Sequence, residues 1–169
     1  MESNSTRQMR VPKIRPMTIQ DLPSVLEINR ENFTSDAWSK NAFEREFQLE
    51  YSHKYVLELD GEVIGYFVVW VIHDSANLMN FAIKKDYWGM GYGKMLLSFL
   101  VENFKDKVSS ISLDVRKSNV RAIRLYRSLG FQIVSERPRY YSDGENAYQM
   151  VLETSVPIKE FVPERESTL

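Results

Sequence analysis

Residues 78–100 read LMNFAIKKDYWGMGYGKMLLSFL. An apolar, strand-like run ends near Lys84. Three of the chain's seven glycines follow at 89, 91 and 93, and Met95, Leu96, Leu97, Phe99, Leu100 and Phe104 then recur as the broad apolar face of a helix. A loop without Cβ atoms is free to turn several backbone N–H groups inward, and the positive end of the helix behind it favours an anion there. A pyrophosphate is the natural guest. The competing reading is a plain flexible turn, and a lone glycine motif does not separate the two.

Upstream of this segment, residues 1–10 are polar and expected to fray, and Val11–Arg15 read as a short strand closed by Pro16. Thr18 is a suitable N-cap, with Asp21 three residues on in capping-box position. Leu22, Val25, Leu26, Ile28 and Phe33 recur at helical spacing behind it. Ser39 opens a second helix with Ala42, Phe43 and Phe47 on one face. Tyr55–Leu59, an Asp60-Gly61 turn and Val63–Ile72 form a hairpin, and Leu78–Lys84 a further strand.

Downstream, Ile111–Val115 alternate as a strand, Ser118 is expected to cap a helix ending at Gly130, and Phe131–Val134, Tyr140-Tyr141 and Ala147–Leu152 close a hairpin around Asp143-Gly144. Residues 154–169 look like a loose tail, leaving 11–153 as one domain. Strand, two helices, three strands, helix, strand, helix, two strands describes a mixed α/β sheet. A dinucleotide fold would place its glycines after the first strand, so that architecture is disfavoured.

At 169 residues, 43% hydrophobic and 27% charged, the chain suits a globular domain with a proper core. Twenty-two basic against 23 acidic residues leave no global positive field, which speaks against nucleic acid as partner. No apolar run is long enough for a membrane span and residues 1–10 lack a signal peptide's apolar stretch, so a cytoplasmic location is expected. With no cysteine and only His53 and His73, thiolate nucleophiles are excluded and a histidine-rich metal site cannot be built; no metal is expected. His73 reads as a strand residue rather than a base.

The segment Trp88-Gly89-Met90-Gly91-Tyr92-Gly93 resembles the Q/R-x-x-G-x-G/A loop with which GNAT acetyltransferases hold the pyrophosphate of coenzyme A. Asn80-Phe81-Ala82-Ile83 resembles that family's central strand, and Leu113-Asp114-Val115-Arg116-Lys117-Ser118-Asn119 with Ala122-Ile123-Arg124-Leu125-Tyr126 its LEVR-x-SN and AI-x-LY patterns. Tyr140-Tyr141-Ser142-Asp143-Gly144-Glu145-Asn146-Ala147-Tyr148-Gln149-Met150 is similar to the YYADGEDAYLM segment of the Ard1-type enzymes, and the RimI-type enzymes look similar too. Both branches acetylate protein N-termini. The resemblance is continuous over about residues 78–152.

It implies the GNAT fold: a mixed, mostly antiparallel sheet of about seven strands with about four helices and a splayed strand pair holding acetyl-CoA. It also implies acetyl transfer by direct attack on α-amino groups of protein N-termini, ribosomal or nascent proteins among them, by a monomer or homodimer. Acetylation of lysines or small amines, and coenzyme A binding without catalysis, are the alternatives.

Residue by residue, the resemblance assigns Phe81, Ala82 and Ile83, the loop Trp88, Gly89, Met90, Gly91, Tyr92, Gly93 and Lys94, and Asn119 with Tyr126 to the cofactor. Asp114 becomes the base and Tyr126 the acid. Phe33, Trp38, Tyr140 and Tyr141 become substrate contacts. Two departures stand out. Trp88 replaces a Gln or Arg, shifting phosphate binding toward Lys94 or another lysine. Asp114 replaces a Glu, and one methylene less calls for a water relay or another base, Glu145 being the substitute. Asp114 also reads as a solvated acid, Tyr126 as a core aromatic, and Phe33 and Trp38 as packing residues. A side chain at Gly91 is expected to crowd the phosphate loop.

Overall fold

A computed structural model describes residues 10–154. Seven strands and four α-helices follow in the expected order: β1 (Pro12–Pro16), α1 (Leu22–Asn32), α2 (Lys40–Glu46), β2 (Ser52–Leu59), β3 (Glu62–Ile72), β4 (Ser75–Ile83), α3 (Tyr92–Phe104), β5 (Ser110–Arg116), α4 (Val120–Ser128), β6 (Gln132–Arg137) and β7 (Ala147–Glu153). Short 3-10 turns precede α1 and α3. The strands form one sheet in the order β1-β2-β3-β4-β5-β7-β6. The expectations for residues 1–9 and 155–169 lie outside the described residues. Arg10 pairs with Asp60 at 2.6 Å, and Thr154 N–H donates to the Ser109 carbonyl at 3.2 Å.

The chain separates into two compact units, residues up to Val68 with Asn80–Leu96, and Val69–Met79 with the residues from Leu97 on. In the first, β1 runs antiparallel to β2 from Pro12↔Leu59 to Pro16↔Tyr55. Its core takes Val25 and Ile28 from α1, Phe43 from α2, Leu57 and Leu59 from β2, and Ile64, Tyr66 and Phe67 from β3, all at most 2% exposed. Asp60 and Gly61 both have positive φ, 54° and 83°, as the tight turn between β2 and β3 requires. Ser39 caps α2, accepting from Ala42 N–H at 3.1 Å.

The start of α1 is held by charge. The Asp21 carboxylate, 8% exposed, accepts from Thr18 N–H at 2.7 Å and from both terminal nitrogens of Arg15 at 2.8 Å. The Arg15 guanidinium holds this carboxyl below the usual carboxylate range.

In the second unit β5 pairs antiparallel with β7 along its whole length, and β7 with β6 across an irregularity between Ile133 and Ser135. The parallel ladder of β4 with β5 covers only Ser75–Asn77 against Ser110–Ser112, although β4 runs on to Ile83 and β5 to Arg116.

Three local expectations are corrected. Asn119, not Ser118, caps α4: its side-chain oxygen accepts from Ala122 N–H at 3.1 Å. His73 is no strand residue but an exposed turn residue with φ 55°. Tyr140 and Tyr141 lie in the loop between β6 and β7, because β6 runs on to Arg137 before the chain turns.

Candidate active site

The residues named from the sequence fall into two groups, one in each unit. Phe33, Trp38, Phe81, Ala82, Ile83 and residues 88–94 belong to the first; Asp114, Asn119, Tyr126, Tyr140 and Tyr141 belong to the second.

In the first unit the glycine loop is built as expected but for a different steric reason. Gly89 and Gly91 have φ of 78° and 90°, and a Cβ at either position would meet no atom within 4 Å. Backbone conformation rather than crowding demands glycine here, which corrects the expectation for Gly91. The Gly91 carbonyl accepts from Met95 N–H at 3.0 Å, so α3 starts here, and the N–H groups of Tyr92, Gly93 and Lys94 form its first turn. The aligned peptide dipoles of a 13-residue helix stand behind an open loop with the exposed Lys94 beside it, which fits a pyrophosphate. Met90, 62% exposed, and Met95, 40% exposed, add an apolar rim.

Trp88 has a definite place. Its indole N–H donates to the Ile83 carbonyl at 2.8 Å and Lys85 Nζ lies 5.6 Å from its ring centroid. The residue that departs from the family pattern pins the loop to the end of β4. Ala82 and Ile83 are buried and Phe81 half-buried along that strand. On the loop after α1, Trp38 meets Phe43 at a tilt with ring centroids 5.0 Å apart, Phe43 meets Tyr66 edge-on at 5.8 Å, and Phe33 ends α1 in an extended conformation.

In the second unit Asp114 is held from both sides. Its Oδ1 accepts from Arg137 Nε at 3.0 Å and its Oδ2 from the Tyr140 hydroxyl at 3.1 Å. Tyr140 and Tyr141 meet edge-on at 5.1 Å. Arg116 lies 4.2 Å from the Tyr141 ring centroid and ties the loop down through Asp143 at 2.9 Å and Glu145 at 2.7 Å. Glu145 also accepts from Ser118 N–H at 2.8 Å. These donors, Ser118 first and Arg116 second, hold its carboxyl below the ordinary range. Glu145 therefore fixes the loop against the start of α4.

Tyr126 is 7% exposed and packs edge-on against Phe131 at 5.8 Å. Burial pushes its phenol well above the ordinary value, so the group carries its proton throughout the physiological range. Asn119, exposed at the head of the same helix, uses its side-chain oxygen for the cap, a bond that leaves its amide nitrogen unused.

Reading the sequence did not single out Arg137, which holds Asp114, Arg116, which holds the β6–β7 loop, or the buried polar pair Asn29 and Asn80. Two of them carried a signal. Asn29 interrupts the apolar stripe of α1, four residues after Val25 and seven after Leu22. Asn80 interrupts the inward series Ala76, Leu78, Ala82 of β4. A polar residue at an inward position calls for a partner.

Comparison with known proteins identifies the family. The sequence profile of the acetyltransferase (GNAT) family matches residues 22–131. A Bacillus subtilis (strain 168) protein named as a candidate ribosomal protein bS18-alanine N-acetyltransferase is 39% identical over 140 residues, spanning 81% of this chain and 92% of its own length. The crystal structure of the ribosomal-protein-S18-alanine N-acetyltransferase from Escherichia coli superposes with a TM-score of 0.80 at 31% identity, over 90% of this chain and all 100% of that one. Ard1 from Thermoplasma volcanium gives a TM-score of 0.78 at 28% identity, covering 85% and 97%. With a seven-stranded mixed sheet, four helices, a glycine loop at a helix N-terminus and a profile match across most of its length, the chain belongs to the GNAT acetyltransferase family.

Proposed function

We propose that residues 11–153 transfer the acetyl group of acetyl-CoA to the α-amino group of a protein N-terminus, by direct attack of the amine. The observation that carries the reading is the cluster of Asp114, Arg137 and Tyr140: one carboxylate joins a proton acceptor to the paired tyrosines of the β6–β7 loop. Relatives bearing names of N-terminal acetyltransferases support the same reading.

Acetyl-CoA supplies the acetyl group as a thioester. The N–H groups of Gly89–Lys94 and the first turn of α3 hold its pyrophosphate, the backbone of Phe81, Ala82 and Ile83 its pantetheine arm, and the Asn119 amide nitrogen adds a donor. Asp114 takes the proton of the attacking amine, through water where its short side chain does not reach, while Arg137 keeps the carboxylate oriented. Tyr126, held protonated by burial, returns a proton to the departing sulfur. The hydroxyls of Tyr140 and Tyr141, together with Phe33 and Trp38, grip the first residues of the peptide. An α-amine with a pKa of about 7.7–8.0 is partly neutral at physiological pH, whereas a lysine near 10.4 is not, so a modest base suffices for N-termini.

The test is thiol release from acetyl-CoA with two peptide pools, one with a free alanyl N-terminus and no lysine, the other N-terminally blocked with an internal lysine. Turnover of the first pool alone is expected. Turnover of the second alone, or of neither while coenzyme A binds, overturns the proposal.

A further inference from the structure

Asn80 stands on β4 in a row of inward residues, Ala76, Leu78 and Ala82, that are otherwise apolar. At 7% exposed, its side chain meets Asn29 of α1 and Tyr66 of β3, both 0% exposed, inside the first unit. One group that cannot be reversed fixes the orientation of all three. The backbone N–H of Trp38 is only a donor, and it lies 2.8 Å from Asn29 Oδ1. Asn29 therefore presents Nδ2 to the other two, 2.9 Å from the Tyr66 oxygen and 3.4 Å from Asn80 Oδ1. Tyr66 accepts from Asn29, and its one hydrogen goes to Asn80 Oδ1 at 2.9 Å.

The Asn80 oxygen is thus consumed and its Nδ2 is turned away from the group. Among the described residues nothing accepts from that NH2. A neutral donor more than nine-tenths out of water and without an acceptor is costly and uncommon.

We infer that Asn80 is a substrate-contacting residue whose Nδ2 donates to the carbonyl oxygen of the first residue of the acceptor peptide. This rests on the reading of the chain as an N-terminal acetyltransferase. A neutral NH2 group takes a carbonyl acceptor and leaves the lone pair of the amine free for attack. The peptide is favoured over the cofactor because the network that orients Asn80 ends on Trp38, in the loop that grips the peptide. The contact also tells α- from ε-amines. An N-terminal amine has a carbonyl two bonds away, whereas a lysine ε-amine has none within several bonds.

The experiment is a two-by-two cycle. Wild type and Asn80→Thr are assayed with an alanyl peptide and with its isostere carrying an alkene in place of the first peptide bond. Threonine suits a strand and keeps an oxygen for Tyr66 while removing the outward NH2. The wild type should lose about three- to tenfold more kcat/KM on the exchange than Asn80→Thr, the worth of one neutral hydrogen bond, with the acetyl-CoA Kd of the two proteins within about twofold. Equal losses in both proteins overturn the inference, and so does a weakened acetyl-CoA Kd in Asn80→Thr with the peptide ratio unmoved. Should Asn80→Thr not fold, wild-type protein carrying isotope-labelled asparagine is titrated instead. The Asn80 NH2 resonance should move with alanyl peptide and not with coenzyme A alone, and the reverse overturns the inference. A wild type inactive on the alanyl peptide tells against the function itself, whereas an active one with equal losses tells only against Asn80.

Discussion

Replacing Tyr126 by phenylalanine removes one oxygen from a site whose shape it leaves intact. The ring is 7% exposed and meets Phe131 edge-on at 5.8 Å, contacts that phenylalanine reproduces. The fold should therefore survive with a stability change of about 1 kcal/mol or less. Removal of a general acid from its place costs about 10²–10⁴-fold in rate. Burial keeps this phenol protonated, so all of that contribution is present at neutral pH, and a loss near the middle of the range, about 4 kcal/mol of barrier, is expected. The assay is steady-state thiol release at saturating acetyl-CoA, with the acetyl-CoA Kd measured in parallel by calorimetry. Kd should stay within about twofold while kcat falls by two orders of magnitude or more. The wild-type rate should also show no alkaline loss attributable to this group below about pH 10, because its phenol sits above the ordinary value. A kcat within about twofold of wild type would remove Tyr126 as the acid.

Gly91→Ala puts a Cβ where no atom lies within 4 Å but where φ is 90°, so the cost is conformational, about 1–2 kcal/mol in the loop, and should appear as a several-fold weaker coenzyme A Kd with the fold retained. An unchanged Kd would detach this loop from the cofactor. Asp21→Asn removes the charge that two Arg15 nitrogens and the Thr18 N–H hold; as Arg15 is 27% exposed, water screens part of the effect, and about 1–2 kcal/mol of stability should be lost at pH 7. Because the folded Asp21 titrates below its unfolded value, its contribution is complete above about pH 4–5 and fades as pH falls through the folded pKa. The gap between wild type and Asp21→Asn in denaturant titrations should narrow correspondingly in acid, and a gap that widens there would contradict the assignment.

The order of elements was legible because each depends on neighbours in the chain. Asp60-Gly61 marks a turn by its tolerance of positive φ, Ser39 marks a helix start by one hydrogen bond to the third residue on, and the alternation of residues 111–115 marks a strand by its period of two. Boundaries slipped where two candidates stood side by side. Ser118 and Asn119 are both good caps; Asn119 takes the role, while the Ser118 N–H goes to Glu145, remote in sequence. Tyr140 and Tyr141 carry strand propensity yet sit in a loop that Arg116 holds through Asp143 and Glu145.

By itself, the sequence determined the seven-stranded α/β order, the glycine loop at the head of α3 and, through resemblance, the family. Those properties are written in spacings of two to seven residues, short enough to be read along the chain. Only the tertiary structure decided that Asp114 is shared by Arg137 and Tyr140, that Trp88 pins the loop to the Ile83 carbonyl, and that a backbone N–H at Trp38 orients the amide of Asn80. A hydrogen bond selects its partner by distance and direction once the chain has closed: the periodic patterns mark Asn29 and Asn80 as inward polar residues, but not that the two, 51 positions apart, meet each other.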